Sequence, residues 1–93
     1  MTESEHRVAI VTGGARGIGA EISRRLARGG ATVVCVDVLD TTDIVSEITN
    51  AGSAAEGHHL DVTDAEQAAA CLKSIHDAHG RIDILVNNAG ITR

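Results

Sequence analysis

Val8-Ala9-Ile10-Val11-Thr12-Gly13-Gly14-Ala15-Arg16-Gly17-Ile18-Gly19 decides how the rest of the 93-residue chain is read. It opens on a short apolar run rich in β-branched side chains, which favours a strand buried on both faces. A glycine cluster follows, and then Ile18, Ile22 and Leu26 recur every four residues, as on one face of a helix. Strand, tight turn and helix N-terminus in that order aim unpaired backbone N–H groups and the positive end of the helix dipole at one point. An anion, most often a phosphate, suits such a point. Glycine leaves the backbone open there, where a Cβ would block a ligand's approach.

The pattern repeats outward from this stretch. The first strand is expected over 7–12, and its helix runs from Gly17 to the stop at Gly29-Gly30. Thr32 to Asp37 predicts a second strand, apolar on both faces, and 40–51 a shorter helix carrying Ile44, Val45 and Ile48. A third strand is expected over 54–60, diluted by Gly57, His58 and His59. Thr63-x-x-Glu66 has the form of a capping box opening a helix, with Ala65, Ala68, Leu72 and Ile75 on one face and Gly80 at its end. Ile82 to Asn87 predicts the fourth strand.

Strand and helix therefore alternate from end to end. This predicts an α/β, Rossmann-type parallel sheet with right-handed crossovers and helices on both faces, a truncated form of the doubly wound fold. The expected strand order is 3-2-1-4, and ligands of such sheets sit in the crevice where the order reverses. The segments 12–19 and 87–90 both end at that crevice. The whole of 1–93 makes one dinucleotide-binding domain at most, since a domain ordinarily takes about 100–200 residues.

Composition excludes other classes. The formal net charge is −5 and there are no aromatic residues, so neither a basic stripe nor a base-stacking platform is available and no nucleic-acid partner is expected. The apolar runs are too short to span a membrane. Cys35 and Cys71 lack zinc or redox spacing and read as reduced core thiols. With an acidic, polar start (Met1-Thr-Glu-Ser-Glu-His6), they point to a cytoplasmic protein.

Asp37 ends the second strand 18 residues after Gly19, where a carboxylate accepts both hydroxyls of an adenosine ribose. The 13/17/19 glycine spacing departs from G-x-G-x-x-G, so the neighbouring residues carry the inference. A helix cap or a solvated loop acid is the alternative for Asp37. Its charge would repel a 2′-phosphate and favours NAD over NADP, while Arg16 pulls the other way. Asp61 and Val62 stand where they would flank adenine, although Asp61 serves equally as a turn residue before the next helix. Asn87 and Asn88 can tie strand ends together, with Ala89 and Gly90 small enough for a ribose to lie against them. No metal site is expected: His58 and His59 alternate faces, and His76 and His79 read as solvated helix-end side chains. No catalytic constellation stands out. The absence of Gly-Lys-Ser/Thr after the glycines excludes a P-loop, and Asn87-Asn88-Ala89-Gly90 argues against a methyl-donor site.

Thr12-Gly13-Gly14-Ala15-Arg16-Gly17-Ile18-Gly19, Asp61-Val62 and Asn87-Asn88-Ala89-Gly90 resemble, in order, three motifs of the short-chain dehydrogenase/reductase family. The closing Asn-Asn-Ala-Gly-Ile-Thr-Arg is similar to the branch with 3-oxoacyl carrier-protein reductases. The resemblance implies that Gly13, Arg16, Gly17, Ile18 and Gly19 take the pyrophosphate and ribose side of NAD, and Asp37 the adenosine ribose. Asp61 and Val62 would flank adenine, and Asn88, Ala89 and Gly90 would line the cleft floor. The family's chemistry uses a later Ser and a Tyr-x-x-x-Lys pair, and this chain has no tyrosine. The expected function is thus the NAD-binding N-terminal portion of an enzyme interconverting an alcohol and a ketone, including a 3-oxoacyl thioester, the portion alone being inactive. The alternative is a non-catalytic nucleotide-binding or interaction module. A bare fourth strand at the sheet edge would favour self-association.

Overall fold

The computed structural model describes residues 7–88. Its elements are β1 (Val8–Thr12), α1 (Gly17–Arg28), β2 (Thr32–Asp37), α2 (Thr42–Asn50), β3 (Ala55–His59), α3 (Ala65–His79) and β4 (Ile84–Asn87). The four strands form one sheet in the order β3-β2-β1-β4, and every pairing is parallel. The register sets Thr12 beside Val36 and Asn87, and Asp37 beside His59, so the carboxyl ends of all four strands open on one edge.

Alternation along the strands divides the core in two. Val11, Val33 and Cys35 meet Ala20 and Ala27 of α1 and Ile44 and Ile48 of α2 on one face. Val8, Ile10, Val34 and Val36 meet Leu60 and Ile75 on the other, which α3 covers. With no aromatic side chain, close packing of Val, Ile and Ala supplies the apolar burial. β4 begins two residues later than its apolar run, because Asp83 is used for capping. Its carboxylate accepts from the Val8 N–H at 2.9 Å, and its own N–H donates to the Val8 carbonyl.

The third helix departs from its predicted start and face. Asp64, not Thr63, is the N-cap, its side chain accepting from the Gln67 N–H at 3.1 Å. The Thr63 hydroxyl is taken instead by the Asp61 carboxylate. Ala65 is exposed and Leu72 is 37% exposed, while Cys71 packs against the core beside the buried Ile75. The inward stripe thus runs Cys71, Ile75, His79, one helical turn apart at each step. His79 is accordingly half-buried and anchored: its ring bonds Glu56 on β3 at 3.0 Å, and His58 bonds the other oxygen of the same carboxylate at 2.8 Å. Among the described residues, no helix is long and apolar enough to cross a membrane.

Candidate functional site

The carboxyl edge of the sheet gathers most of the sequence-marked residues into one crevice. The chain leaving β1 turns at Gly13, whose N–H donates to the Val36 carbonyl at 2.7 Å, so the loop rests on the end of β2. Gly17 opens α1 with φ +64°, and a Cβ there would meet open space; the backbone angle is what calls for glycine. Gly19 is required for the opposite reason. A Cβ there would come within 1.9 Å of the Gly13 carbonyl oxygen and 2.8 Å of the Asn88 side-chain nitrogen. Arg16 precedes the helix in an extended conformation and makes no side-chain cap bond; the first-turn N–H groups of a helix have no intrahelical partner. Ile18, 67% exposed, projects from the same turn.

Asp37 closes the crevice on the β2 side. One of its carboxylate oxygens accepts from the Ala15 N–H and the other from the Leu39 N–H, both at 3.0 Å. The carboxylate is therefore fixed in orientation against the glycine loop, and an acceptor with two oxygens retains lone pairs for further donors. The cap role considered for Asp37 is not what these bonds describe, since Leu39 precedes α2 and Ala15 belongs to the loop. A hollow of ≈170 Å³ is lined by Gly13, Asp37, Asp61 and Val62, with Val36, Val38, Leu60 and Thr63 completing the wall. Apolar side chains and two acids in one small hollow match a flat heterocycle carrying hydroxyl donors better than they match a phosphate. Asp61 binds the hydroxyl of Thr63 at 2.6 Å and its N–H at 2.9 Å, which hold the carboxyl below the usual aspartate range.

On the β4 side the buried Thr12 and Asn88 stitch the cleft floor together. The Thr12 hydroxyl accepts from the Asn88 N–H at 2.9 Å and shares its proton between the Val86 carbonyl and the Asn87 side chain. The Asn88 amide in turn donates to the Gly13 carbonyl at 3.2 Å. Ala89 and Gly90 lie outside the described residues. Sequence reasoning placed Thr12 at the crevice edge without a role and passed over Val38 and Leu60 as crevice residues. Their only signal was adjacency to strand ends, which becomes informative once the strand order is known. A second, apolar hollow of ≈310 Å³ lies between α3 and β4, lined by Leu72, Leu85, Cys71 and Ile75 among others. No group of histidine, cysteine and acidic side chains suited to a metal ion occurs among the described residues.

Comparison with known proteins agrees with the fold. The family model described as short chain dehydrogenase matches residues 7–93. Over 90 residues the chain is 47% identical to a 3-oxoacyl-[acyl-carrier-protein] reductase, FabG, from Vibrio harveyi, covering 96% of this chain and 36% of the reductase. A metagenomic short-chain oxidoreductase solved in complex with NADP superposes with a TM-score of 0.87 at 45% identity, over 92% of this chain and 40% of that one. Carveol dehydrogenase from Mycobacterium avium, in complex with NAD, gives 0.83 at 26% identity, over 89% and 35%. The chain thus spans about a third of the reductase's length and somewhat more of the NADP-bound oxidoreductase. With three sequence motifs, the strand order and a family match reaching from Arg7 to Arg93 in agreement, the chain belongs to the short-chain dehydrogenase/reductase family of oxidoreductases.

Proposed function

We propose that the crevice binds NAD, with Asp37 accepting the adenosine ribose hydroxyls, the first turn of α1 facing the diphosphate, and Asp61 and Val62 flanking adenine. The observation that carries this reading is the Asp37 carboxylate, 9% exposed and held against the glycine loop by the Ala15 N–H. A carboxylate so fixed meets a 2′-phosphate as a like charge, which supports NAD over NADP; the exposed Arg16 is the one cation of this loop that would favour the phosphate. Bound nicotinamide dinucleotide supplies or accepts a hydride. This chain's residues position it: Asn88 and Thr12 fix the cleft floor beneath Gly13. Within a longer polypeptide the reaction interconverts an alcohol and a ketone, with 3-oxoacyl thioesters among the substrates, and Cys35 and Cys71 as free thiols suit a cytoplasmic setting.

Isothermal titration of the 93-residue chain with ADP, NAD and NADP tests this. ADP and NAD are expected to bind in preference to NADP. Asp37→Arg is expected to reverse the preference by about 10-fold or more, because an ion pair with the 2′-phosphate replaces a repulsion. Unchanged preference in Asp37→Arg removes its assigned role. The exposed Leu85 on the open edge of β4 favours a second reading, a non-catalytic nucleotide-binding module that pairs with complementary strands. Light scattering on the purified chain separates a monomer from such an assembly.

A further inference from the structure

The dinucleotide reading leaves unused a buried polar pair beneath the glycine loop. Cys35, at the centre of β2, and Ser23, in the middle of α1, are both fully buried. The Cys35 thiol donates to the Ser23 hydroxyl at 3.6 Å, and that hydroxyl donates to the Gly19 carbonyl at 2.9 Å. Gly19 is the residue at which α1 touches the Gly13 carbonyl. Cys35 also forms the floor under the loop, since a Cβ on Gly14 would lie 3.3 Å from the Cys35 Cβ. Burial pushes the thiol above its ordinary value, outweighing the Ser23 bond, so it stays protonated and keeps its donor. A hydrophobic residue at either position would fill the same space without linking strand to helix.

We infer that Ser23 and Cys35 are positioning residues for diphosphate binding: the relay from β2 through Ser23 to Gly19 sets the depth of the first turn of α1, and the small Cys35 lets Gly13 and Gly14 settle onto β2. This rests on the dinucleotide reading above. Neither side chain touches the ligand, and Ser23 acts on the helix turn alone, so its effect is confined to ligands that carry phosphates. The hollow at Asp37 and Asp61 meets the loop at Gly13 and the Ala15 N–H, so only a bulkier residue at 35 disturbs it as well.

Titration of ADP, NAD and adenosine into the wild-type chain, Ser23→Ala, Cys35→Ser and Cys35→Leu, with amide NMR shifts as readout, tests this. Ser23→Ala is expected to weaken ADP and NAD about 3- to 10-fold, and Cys35→Leu roughly 10-fold or more, because a sub-ångström displacement of preorganised donors is felt in full. Cys35→Ser, which keeps a donor of similar size, is expected to restore binding to within about 2-fold. Adenosine affinity is expected to be unchanged in Ser23→Ala and Cys35→Ser. Equal losses for adenosine and ADP in Ser23→Ala, or unchanged ADP affinity in that variant, overturn the inference. If Cys35→Leu does not fold, Ser23→Ala and Cys35→Ser decide the matter. Wild-type protein that binds no ADP overturns the dinucleotide reading itself, and with it this one.

Discussion

β1 and β2 are buried along nearly their whole length, whereas β3 and β4 alternate between half-buried and exposed residues. The two central strands are sandwiched by α1 and α2 on one face and α3 on the other. The outer two are each covered less completely, and β4 leaves Leu85 55% exposed beside the apolar hollow under α3. The crevice follows the same division. Its glycine loop and Asp37 stand on the central pair, held by backbone and side-chain bonds from several directions, while Asp61 and Thr63 follow β3 and bond chiefly to one another. The centre anchors the crevice, and the edges supply its walls.

Substitutions at the glycine loop offer the hardest test of that contrast. Gly19→Ala drives a Cβ into backbone, and a loss of more than about 4 kcal/mol or outright failure to fold is expected from urea denaturation. Gly17→Ala meets open space and bears only the left-handed backbone angle, so about 1–2 kcal/mol is expected. Similar losses at the two sites would break the claim that close approach, and not conformation alone, governs the loop.

The two hydrophobic environments beside α3 come next. Ile75, 1% exposed at the centre, is expected to lose about 3 kcal/mol on replacement by Ala through lost burial and the cavity left behind. Leu85→Gln at the edge is expected to stay within about 0.5 kcal/mol and to lower any self-association seen by light scattering. Comparable destabilisation by both would mean that the β4 edge is as well packed as the core under α3.

The smallest effect concerns the link between β3 and α3. Burial pushes the Glu56 carboxyl up, but hydrogen bonds from His58 and His79 outweigh it and hold the carboxyl below the ordinary glutamate value. A depressed carboxyl contributes stability that is fully present above its unfolded pKa, about 4.3, and is lost as pH falls through the lower folded value. Thermal unfolding between pH 3 and 6 is expected to show a shallower acid decline in Glu56→Gln than in the wild type. Parallel pH profiles would show that the half-exposed carboxylate adds nothing to this edge.

Most of the fold was legible because a parallel sheet writes itself in period and punctuation. Val8–Thr12 and Thr32–Asp37 are apolar on both faces, Gly29-Gly30 and Gly80 stop helices, and the alternation of elements leaves few topologies once crossovers are right-handed. The features that escaped turn on which of several competing side chains takes a bond, near in sequence or far from it. Asp64 rather than Thr63 caps α3 because Asp61 already holds the Thr63 hydroxyl, a local competition between two acids that the capping-box pattern does not contain. His79 becomes an anchored side chain because Glu56 lies 23 positions away in sequence and across from it in space.

The chain's own order of residues determined the strand–turn–helix unit, the strand order and the residue types placed at the crevice, because local sterics and hydrophobic periodicity act over a few residues at a time. Only the tertiary structure decided which atoms of those residues meet. Asp37 against the Ala15 N–H, Asn88 against the Gly13 carbonyl, and Ser23 between Cys35 and Gly19 are set by how a helix seats on two strands. Hydrogen bonds depend on fractions of an ångström, and that precision arises from packing the whole sheet, not from any single stretch.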